Sequence, residues 1–140
     1  MIVIDTNVTS ELMRHAPTPA VSAWLRAENA NDLYTTAVTV AEIRYGISRL
    51  PDGSRKDLLT DAAVAVFSAF SEMVLPFDVS AAAEYAGIVV SRERAGRPIN
   101  GFDAQIASIC RAHHAVLATR NVKDFEGTGI DLTNPWDEGQ

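Results

Sequence analysis

The sequence predicts an α/β fold in which helices cover both faces of a central parallel sheet. Short apolar runs rich in β-branched residues alternate along the chain with longer segments whose apolar residues recur at helical spacing. Parallel strands that are buried on both faces have this continuous apolar character. The chain has 140 residues, 47% of them hydrophobic, which suits one core, so we expect a single domain over residues 1–140.

The first half of the chain contains two predicted strands, each followed by helical segments. Before residue 37 we expect strands over residues 2–4 and 33–36 and short helices near residues 10–14 and 21–25. Thr39 and Glu42 have the spacing of a capping box, in which two side chains satisfy free N–H groups at a helix start. A helix is therefore expected to begin near Thr39, with an apolar stripe formed by Val40, Ile43, Ile47 and Leu50.

The second half of the chain continues the alternation of helices and strands. The strands are expected over residues 73–77, 115–118 and 130–132, with a helical turn over residues 121–125. Asp78 or Ser80 can cap the helix that follows the first of these strands. The apolar helix faces are predicted, in chain order, to be Leu59, Ala62, Ala63, Val66, Phe67 and Phe70, then Ala82, Ala83, Ala86, Val89 and Val90, then Phe102, Ile106, Ile109 and Cys110.

Charge and cysteine content restrict the classes of function. The net charge of −6 argues against a protein that coats nucleic acid through a basic surface, although a nuclease remains compatible with it. Arg92, Arg94 and Arg97 form a small basic stretch, interpreted as a solvated helix end in preference to a phosphate contact. The single cysteine excludes an intramolecular disulfide. With no membrane-length apolar run and no secretory signal, we expect a cytoplasmic protein with no membrane association.

Four acidic residues stand where a parallel α/β fold would bring them together. Each follows a short apolar run or lies near the start of a predicted helix, and they are Asp5, Glu42, Asp103 and Asp124. Open parallel sheets form their sites beyond the carboxyl ends of the strands, so we expect these side chains to converge there. Converging carboxylates repel one another, and a divalent cation is therefore expected to hold the cluster together.

Each of these acids also has an ordinary structural interpretation. Asp5 can cap the following helix, and Glu42 can complete the capping box. The helix dipole favours a negative charge at Asp103, while Asp124 is by default a solvated loop residue. The joint placement of the four acids favours the functional interpretation.

Polar neighbours and the absence of other motifs narrow the chemistry of this site. Thr6 and Asn7 follow the first acid. Thr119 and Asn121 precede the last one, and all four residues either form caps and turns or donate hydrogen bonds to the site. Ligands that are all oxygen suit Mg²⁺ or Mn²⁺ in preference to zinc or copper. The sequence has no cysteine–histidine metal motif, no GxxxxGK[ST] phosphate loop and no G-x-S-x-G elbow.

Four segments of the chain carry a family resemblance. They are IVIDTNVTSEL, TTAVTVAEIRYGI, RPINGFDAQIASI and LATRNVKDFEGTGIDL, and they span nearly the whole chain in this order. Together with their acidic positions they resemble the PIN domain, in particular the VapC toxins and the similar FitB group of type II toxin–antitoxin systems. The ordered set is specific to that family.

The resemblance implies a fold, an activity and roles for the acids. It implies a three-layer α/β/α sandwich, a homodimer, and an Mg²⁺- or Mn²⁺-dependent endoribonuclease that hydrolyses RNA with an activated water. Asp5 and Asp103 correspond to the principal metal-site carboxylates. Glu42 matches the acid of the A-E-x-x-x-G helix, and Asp124 matches the more variable fourth acid, often reached through water. The polar residues expected to line the site are Thr6, Asn7 and Thr119.

The resemblance also implies a protein partner. Family members are neutralised by a small antitoxin, VapB-like or FitA-like, whose inhibitory segment occupies the toxin groove and whose other end binds DNA. The pair represses its own operon. Operator DNA would therefore be reached only indirectly, through the antitoxin.

Three other functions are compatible with the same residues. A low-turnover module of this fold would bind a partner protein or RNA through its acidic pocket, with the carboxylates serving as a socket for an arginine. Phosphotransfer on Asp5 ranks well below this, because Asn7 stands where a second aspartate is wanted and Arg120 is a poor substitute for a lysine. A DNA nuclease of related fold is the third.

Overall fold

A five-stranded parallel sheet forms the centre of the computed structural model, which describes residues 1–137. The strands are β1 (Ile2–Ile4), β2 (Leu33–Thr36), β3 (Val74–Leu75), β4 (Val116–Ala118) and β5 (Leu132–Thr133). All four neighbouring pairs are parallel, which confirms the predicted sheet. Residues 138–140 lie outside the described residues, so the single domain over residues 1–140 stays a prediction.

Six α-helices flank the sheet in the described part of the chain. They are α1 (Thr6–Leu12), α2 (Pro19–Ala27), α3 (Ala37–Ser48), α4 (Ser54–Ala69), α5 (Val79–Arg94) and α6 (Gly101–His113). Two short 3-10 helices, Ala30–Asp32 and Val122–Phe125, complete the secondary structure of residues 1–137. Within these residues no helix has both the length and the apolar character that crossing a membrane requires.

The order of the strands determines where a site can form. The sheet runs β3-β2-β1-β4-β5, so the chain builds outwards from β1 on one side and then returns to its other side with β4. Sites in open α/β sheets lie beyond the carboxyl ends of the strands at such a reversal. The ends of β1 and β4 are joined there by a hydrogen bond from the Asp5 N–H to the Ala118 carbonyl, 2.9 Å long.

Two apolar clusters hold the helices against opposite faces of the sheet. Successive strand residues point to opposite faces, and accordingly Val3 belongs to one cluster and Ile4 to the other. The Val3 cluster includes Ile106 from α6 and Ile88 from α5, and the Ile4 cluster includes Val8 from α1. The three-layer α/β/α arrangement predicted from the sequence is thus confirmed.

The start of α3 differs from the prediction. The helix begins at Ala37, and its cap is Thr36, whose hydroxyl accepts a hydrogen bond of 3.1 Å from the Thr39 N–H. The predicted capping box between Thr39 and Glu42 is therefore wrong. Thr39 lies inside the first turn, and Glu42 lies too far along the helix to satisfy a free N–H group at its start.

The buried face of α5 and two strand boundaries also differ from the prediction. Ala81, Ile88 and Arg92 are the buried residues of α5, whereas most of the predicted face is exposed. Alanines occur all round this helix, so apolar periodicity did not identify the correct face. The strands β3 and β5 are shorter or shifted relative to the predicted residues 73–77 and 130–132. Asp78 caps the helix as predicted, accepting from the Ala81 N–H.

Candidate active site

An open cavity of about 550 Å³ lies beyond the carboxyl ends of the central strands. Three of the four predicted acids line it, namely Asp5, Glu42 and Asp103. Three of the four predicted polar neighbours line it as well, namely Thr6, Asn7 and Asn121. The fold thus brings together side chains that are far apart in the sequence, the largest separation being the 116 positions between Asp5 and Asn121.

Asp5 is the most buried acid of the cavity, with 4% of its surface exposed. One carboxylate oxygen, Oδ1, accepts a 2.8 Å hydrogen bond from the Thr6 N–H, so Asp5 caps α1. The other, Oδ2, accepts from the Thr119 hydroxyl at 2.7 Å and from the Asn7 amide at 3.3 Å. The structure thus confirms that Asp5 caps the helix through one oxygen, while the other oxygen faces the polar network. The metal-site role of Asp5 stays a prediction.

The pKa of Asp5 is raised mainly because burial disfavours its charged form. Hydrogen bonds from Thr119 and Thr6 oppose this increase, and the negative charges of Glu42 and Asp124 add to it. The acids are therefore close enough to affect one another's ionisation. Such a site stabilises positive charge placed among the carboxylates.

Glu42 projects from α3 and is half-buried. Its Oε1 accepts a 2.8 Å hydrogen bond from the Thr6 hydroxyl, which lies 3.2 Å from the Thr39 hydroxyl. The Thr36 hydroxyl lies a further 3.3 Å beyond, so three hydroxyl groups form a chain that ends on this carboxylate. Burial raises the pKa of Glu42, the Thr6 hydrogen bond lowers it, and the charge of Asp103 raises it further.

Asp103 lies in the first turn of α6, as the sequence predicted. Asn100 caps this helix and forms two hydrogen bonds with Asp103. Its Oδ1 accepts from the Asp103 N–H, and its Nδ2 donates to the Asp103 carboxylate, both at 2.8 Å. Burial, followed by the charge of Asp5, raises the pKa of Asp103 to about 6. About half of the Asp103 side chains are therefore protonated near pH 6.

Asp124 lies at the margin of the site. Asp124 is exposed on the 3-10 helix Val122–Phe125 and does not line the cavity. Its negative charge nevertheless raises the pKa of both Asp5 and Asp103. Its backbone is held by Arg92, whose Nη1 donates to the Asp124 carbonyl at 2.7 Å and to the Glu126 carbonyl at 3.0 Å. The structure therefore places the fourth acid within electrostatic reach of the others and not among them.

The interpretation of the basic stretch as a solvated helix end is wrong for Arg92. Only 6% of this residue is exposed, and its guanidinium also donates to the Arg97 carbonyl at 2.6 Å. Arg97 itself pairs with Glu126 at 3.1 Å. These arginines join the end of α5 to the segment that carries Asp124.

Thr119 links the two central strands at the site. It is fully buried, and besides donating to Asp5 its hydroxyl accepts from the Asn121 N–H at 3.0 Å. The Asn7 amide bridges the same hydroxyl and Asp5, while its Oδ1 accepts from the Arg120 N–H at 3.2 Å. The polar residues predicted to support the site thus form one network across the ends of β1 and β4.

The donor chemistry of the cavity fits a hard divalent cation. The carboxylates supply only oxygen ligands, and each raises the pKa of another, which is the mutual repulsion that a cation would relieve. As placed, no three carboxyl, imidazole or thiol groups within residues 1–137 lie close enough to share one ion. Coordination of one ion by three of these acids therefore requires movement of their side chains.

Five residues of the cavity were not identified from the sequence. They are Ser10, Glu11, Arg14, Arg120 and Trp136. Ser10 and Glu11 continue the face of α1 that carries Thr6 and Asn7, and Arg14 follows at the same spacing just beyond the end of the helix. This spacing is a signal that could have identified them. No sequence pattern predicted that Arg120 and Trp136 line the cavity.

Glu11 organises the α1 side of the cavity. It is 7% exposed and accepts from the Thr18 N–H at 2.7 Å and the Thr18 hydroxyl at 2.6 Å. The guanidinium of Arg14 donates to the same carboxylate at 3.2 Å. The Thr18 hydrogen bonds lower the pKa of Glu11, which favours its ionised form. Its carboxylate is already bonded to Thr18 and Arg14.

Comparison with known proteins gives consistent similarities along the chain. The model of the PIN domain family matches residues 2–129. The VapC ribonuclease Y4jK of Sinorhizobium fredii is 40% identical over 98% of this chain and 99% of that protein. The toxin FitB of Neisseria gonorrhoeae is 36% identical over 97% of this chain and 99% of its own length. The described fold also superposes on FitAB bound to a DNA fragment, with a TM-score of 0.91, 35% identity, and coverage of 100% of this chain and 99% of that one.

Proposed function

Because this chain belongs to the PIN-domain family, we propose that it is a ribonuclease toxin of the VapC and FitB type. The observation that carries the proposal is the cavity in which Asp5, Glu42 and Asp103 meet at the reversal of the strand order. A cluster of carboxylates with raised pKa values suits metal-dependent hydrolysis of a phosphodiester bond. We name RNA as the substrate because similar proteins are named ribonucleases.

The proposed partner is a small antitoxin of the VapB or FitA type. Its support is the similarity of this chain to the toxin FitB and to the structures of FitAB bound to a DNA fragment and of FitAcB from Neisseria gonorrhoeae. In the proposal operator DNA is contacted through the antitoxin, and two copies of the chain form a homodimer. A cytoplasmic location belongs to the same proposal, because the single cysteine, Cys110, is buried and free, which suits a reducing compartment.

We assign the metal-site roles to the four acids. Asp5 and Asp103 hold Mg²⁺ or Mn²⁺, and Glu42 and Asp124 complete the site directly or through water. When bound, the cation supplies Lewis-acid chemistry at the phosphate and makes water more acidic. The donor set supports this assignment because it contains neither thiol nor imidazole.

The remaining residues orient the acids. Thr119, Asn7 and the Thr6 N–H fix both oxygens of Asp5, and Asn100 fixes Asp103. The Thr6 hydroxyl occupies Oε1 of Glu42, whereas no donor within residues 1–137 bonds to Oε2. With its raised pKa, Glu42 is suited to accept a proton from the attacking water at Oε2.

The proposal is tested by cleavage of total bacterial RNA with Mg²⁺ or Mn²⁺ and with EDTA. We expect Asp5→Asn to lower the cleavage rate by more than about 100-fold, since changes even to residues behind the ligands of a metal site cost about 10- to 100-fold. The matched control is Asp61→Asn, which removes an exposed carboxylate on α4 outside the cavity. Cleavage that is unchanged by Asp5→Asn or by EDTA would reject the assignment.

The same experiment distinguishes the low-turnover binding module. That alternative is favoured by the absence, within residues 1–137, of three acids placed to share an ion. It predicts that the wild-type chain retains RNA or an arginine-bearing partner without metal-dependent cleavage. Multiple turnovers of RNA by the wild-type protein exclude it.

A further inference from the structure

Two arginines, Arg14 and Arg120, line the acidic cavity, and their guanidinium groups contact different partners. Arg14 is paired with the buried carboxylate of Glu11 at 3.2 Å. Arg120 forms no ion pair with a carboxylate of residues 1–137, and its guanidinium lies over the ring of Trp136, 5.1 Å from the ring centroid. Contact with an aromatic face uses the charge of a guanidinium but no acceptor oxygen. Among the residues from 1 to 137, Arg120 is therefore the cavity cation whose donors are available to a ligand.

The Arg120–Trp136 pair is fixed to the same framework as the acids. The Arg120 N–H donates to the Oδ1 of Asn7, whose amide nitrogen bonds to Asp5. The Trp136 N–H donates to the Asn134 Oδ1 at 2.9 Å, and its side chain packs against the core cluster that contains Ile4. The guanidinium is thereby held at a defined position relative to Asp5, which favours a positioning role.

The charge distribution indicates what this arginine binds. The chain carries a net charge of −6, and the cavity contains several carboxylates, so an RNA strand meets repulsion there. A guanidinium with unoccupied N–H groups matches the geometry of a phosphate and offsets this repulsion locally. We propose that Arg120, held over Trp136, binds a backbone phosphate next to the scissile bond and positions the RNA over the acids. This inference rests on the proposed ribonuclease function.

The test measures how the initial rate of cleavage depends on the concentration of total bacterial RNA in Mn²⁺. For Arg120→Gln we expect the apparent KM to rise about tenfold with kcat changed less than about threefold, as for loss of a charged hydrogen bond made in binding. The dependence of log apparent KM on log salt should weaken by about 0.7, the value for one phosphate contact to a single strand. Arg120→Lys should recover part of the KM, because it keeps the charge.

The matched control is Arg49→Gln, because Arg49 also lies over an aromatic ring, that of Tyr45 at 5.7 Å, but outside the acidic cavity. We expect this control to keep the wild-type KM and salt dependence. Trp136→Leu should raise the KM in the same direction as Arg120→Gln, and Trp136→Phe should restore it. A wild-type KM and salt dependence in Arg120→Gln overturn this inference alone, whereas a wild-type chain that cleaves no RNA overturns the proposed function as well.

Discussion

Replacement of Asp103 by asparagine should stabilise the metal-free protein at alkaline pH while abolishing cleavage. Its pKa rises from 3.8 to about 6 on folding, mainly because burial disfavours the carboxylate. The native state therefore binds more protons than the unfolded state between these values, so stability falls as pH rises through them. Well above about pH 6, the pKa in the folded state, ionised Asp103 lowers the free energy of unfolding by the full amount. Well below pH 3.8, the pKa in the unfolded state, it no longer lowers it.

The change in the free energy of unfolding follows from the difference between the pKa of Asp103 in the folded and unfolded states. About two pKa units correspond to about 3 kcal/mol, and we reduce this to about 1–2 kcal/mol because Asp103 is partly exposed and solvent screens it. Asparagine has no charge and can still accept the Asn100 amide hydrogen bond. In EDTA at about pH 8, Asp103→Asn should thus unfold in urea with a free energy about 1–2 kcal/mol above that of the wild type.

The pH dependence distinguishes this reasoning from a general stabilisation. At about pH 4.5 Asp103 is mostly protonated in the folded state but still mostly ionised in the unfolded state, so the advantage of the variant should fall to about one third of its value at about pH 8. The control Asp61→Asn, on the exposed side of α4, should change stability equally at both pH values. An Asp103→Asn variant that gains nothing at the higher pH, or gains the same amount at both, would refute the proposed electrostatic cost.

Three further substitutions test the supporting residues. Thr119→Val removes the 2.7 Å hydrogen bond to Asp5 and should weaken Mn²⁺ binding about 10- to 100-fold by calorimetry. Thr6→Val removes the donor to Glu42 and should lower kcat about tenfold with an unchanged melting temperature, whereas an equal kcat would contradict that role. Arg92→Met leaves the Asp124 and Glu126 carbonyls unpaired and should cost about 2–4 kcal/mol in urea unfolding, whereas a cost near zero would contradict it.

The sequence was most informative where local pattern and fold coincide. The bounds of β1 and β2 agree with the apolar runs, because these strands are buried along their length. The locations of Asp5 and Asp103 were predictable for the same reason. One follows a buried strand directly, and the other lies in the first turn of an apolar helix.

Other features depend on contacts that leave no local pattern. The spacing of Thr39 and Glu42 is identical for a capping box and for a site glutamate, and only the hydroxyl of Thr36 decides between them. Arg92 is buried by backbone carbonyls more than thirty positions away, at 32 and 34 residues. Carbonyl acceptors exist at every residue, so no sequence signal marks them. The contact between Arg120 and Trp136 arises only when the chain returns after β5.

Diffraction from crystals soaked in Mn²⁺ tests the central claim most directly, because anomalous scattering locates the ion itself. The account predicts a peak in the cavity at the ends of β1 and β4, with the carboxylates of Asp5 and Asp103 as direct oxygen ligands. A peak elsewhere, or no peak in the cavity with these carboxylates too far apart to share an ion, would contradict it.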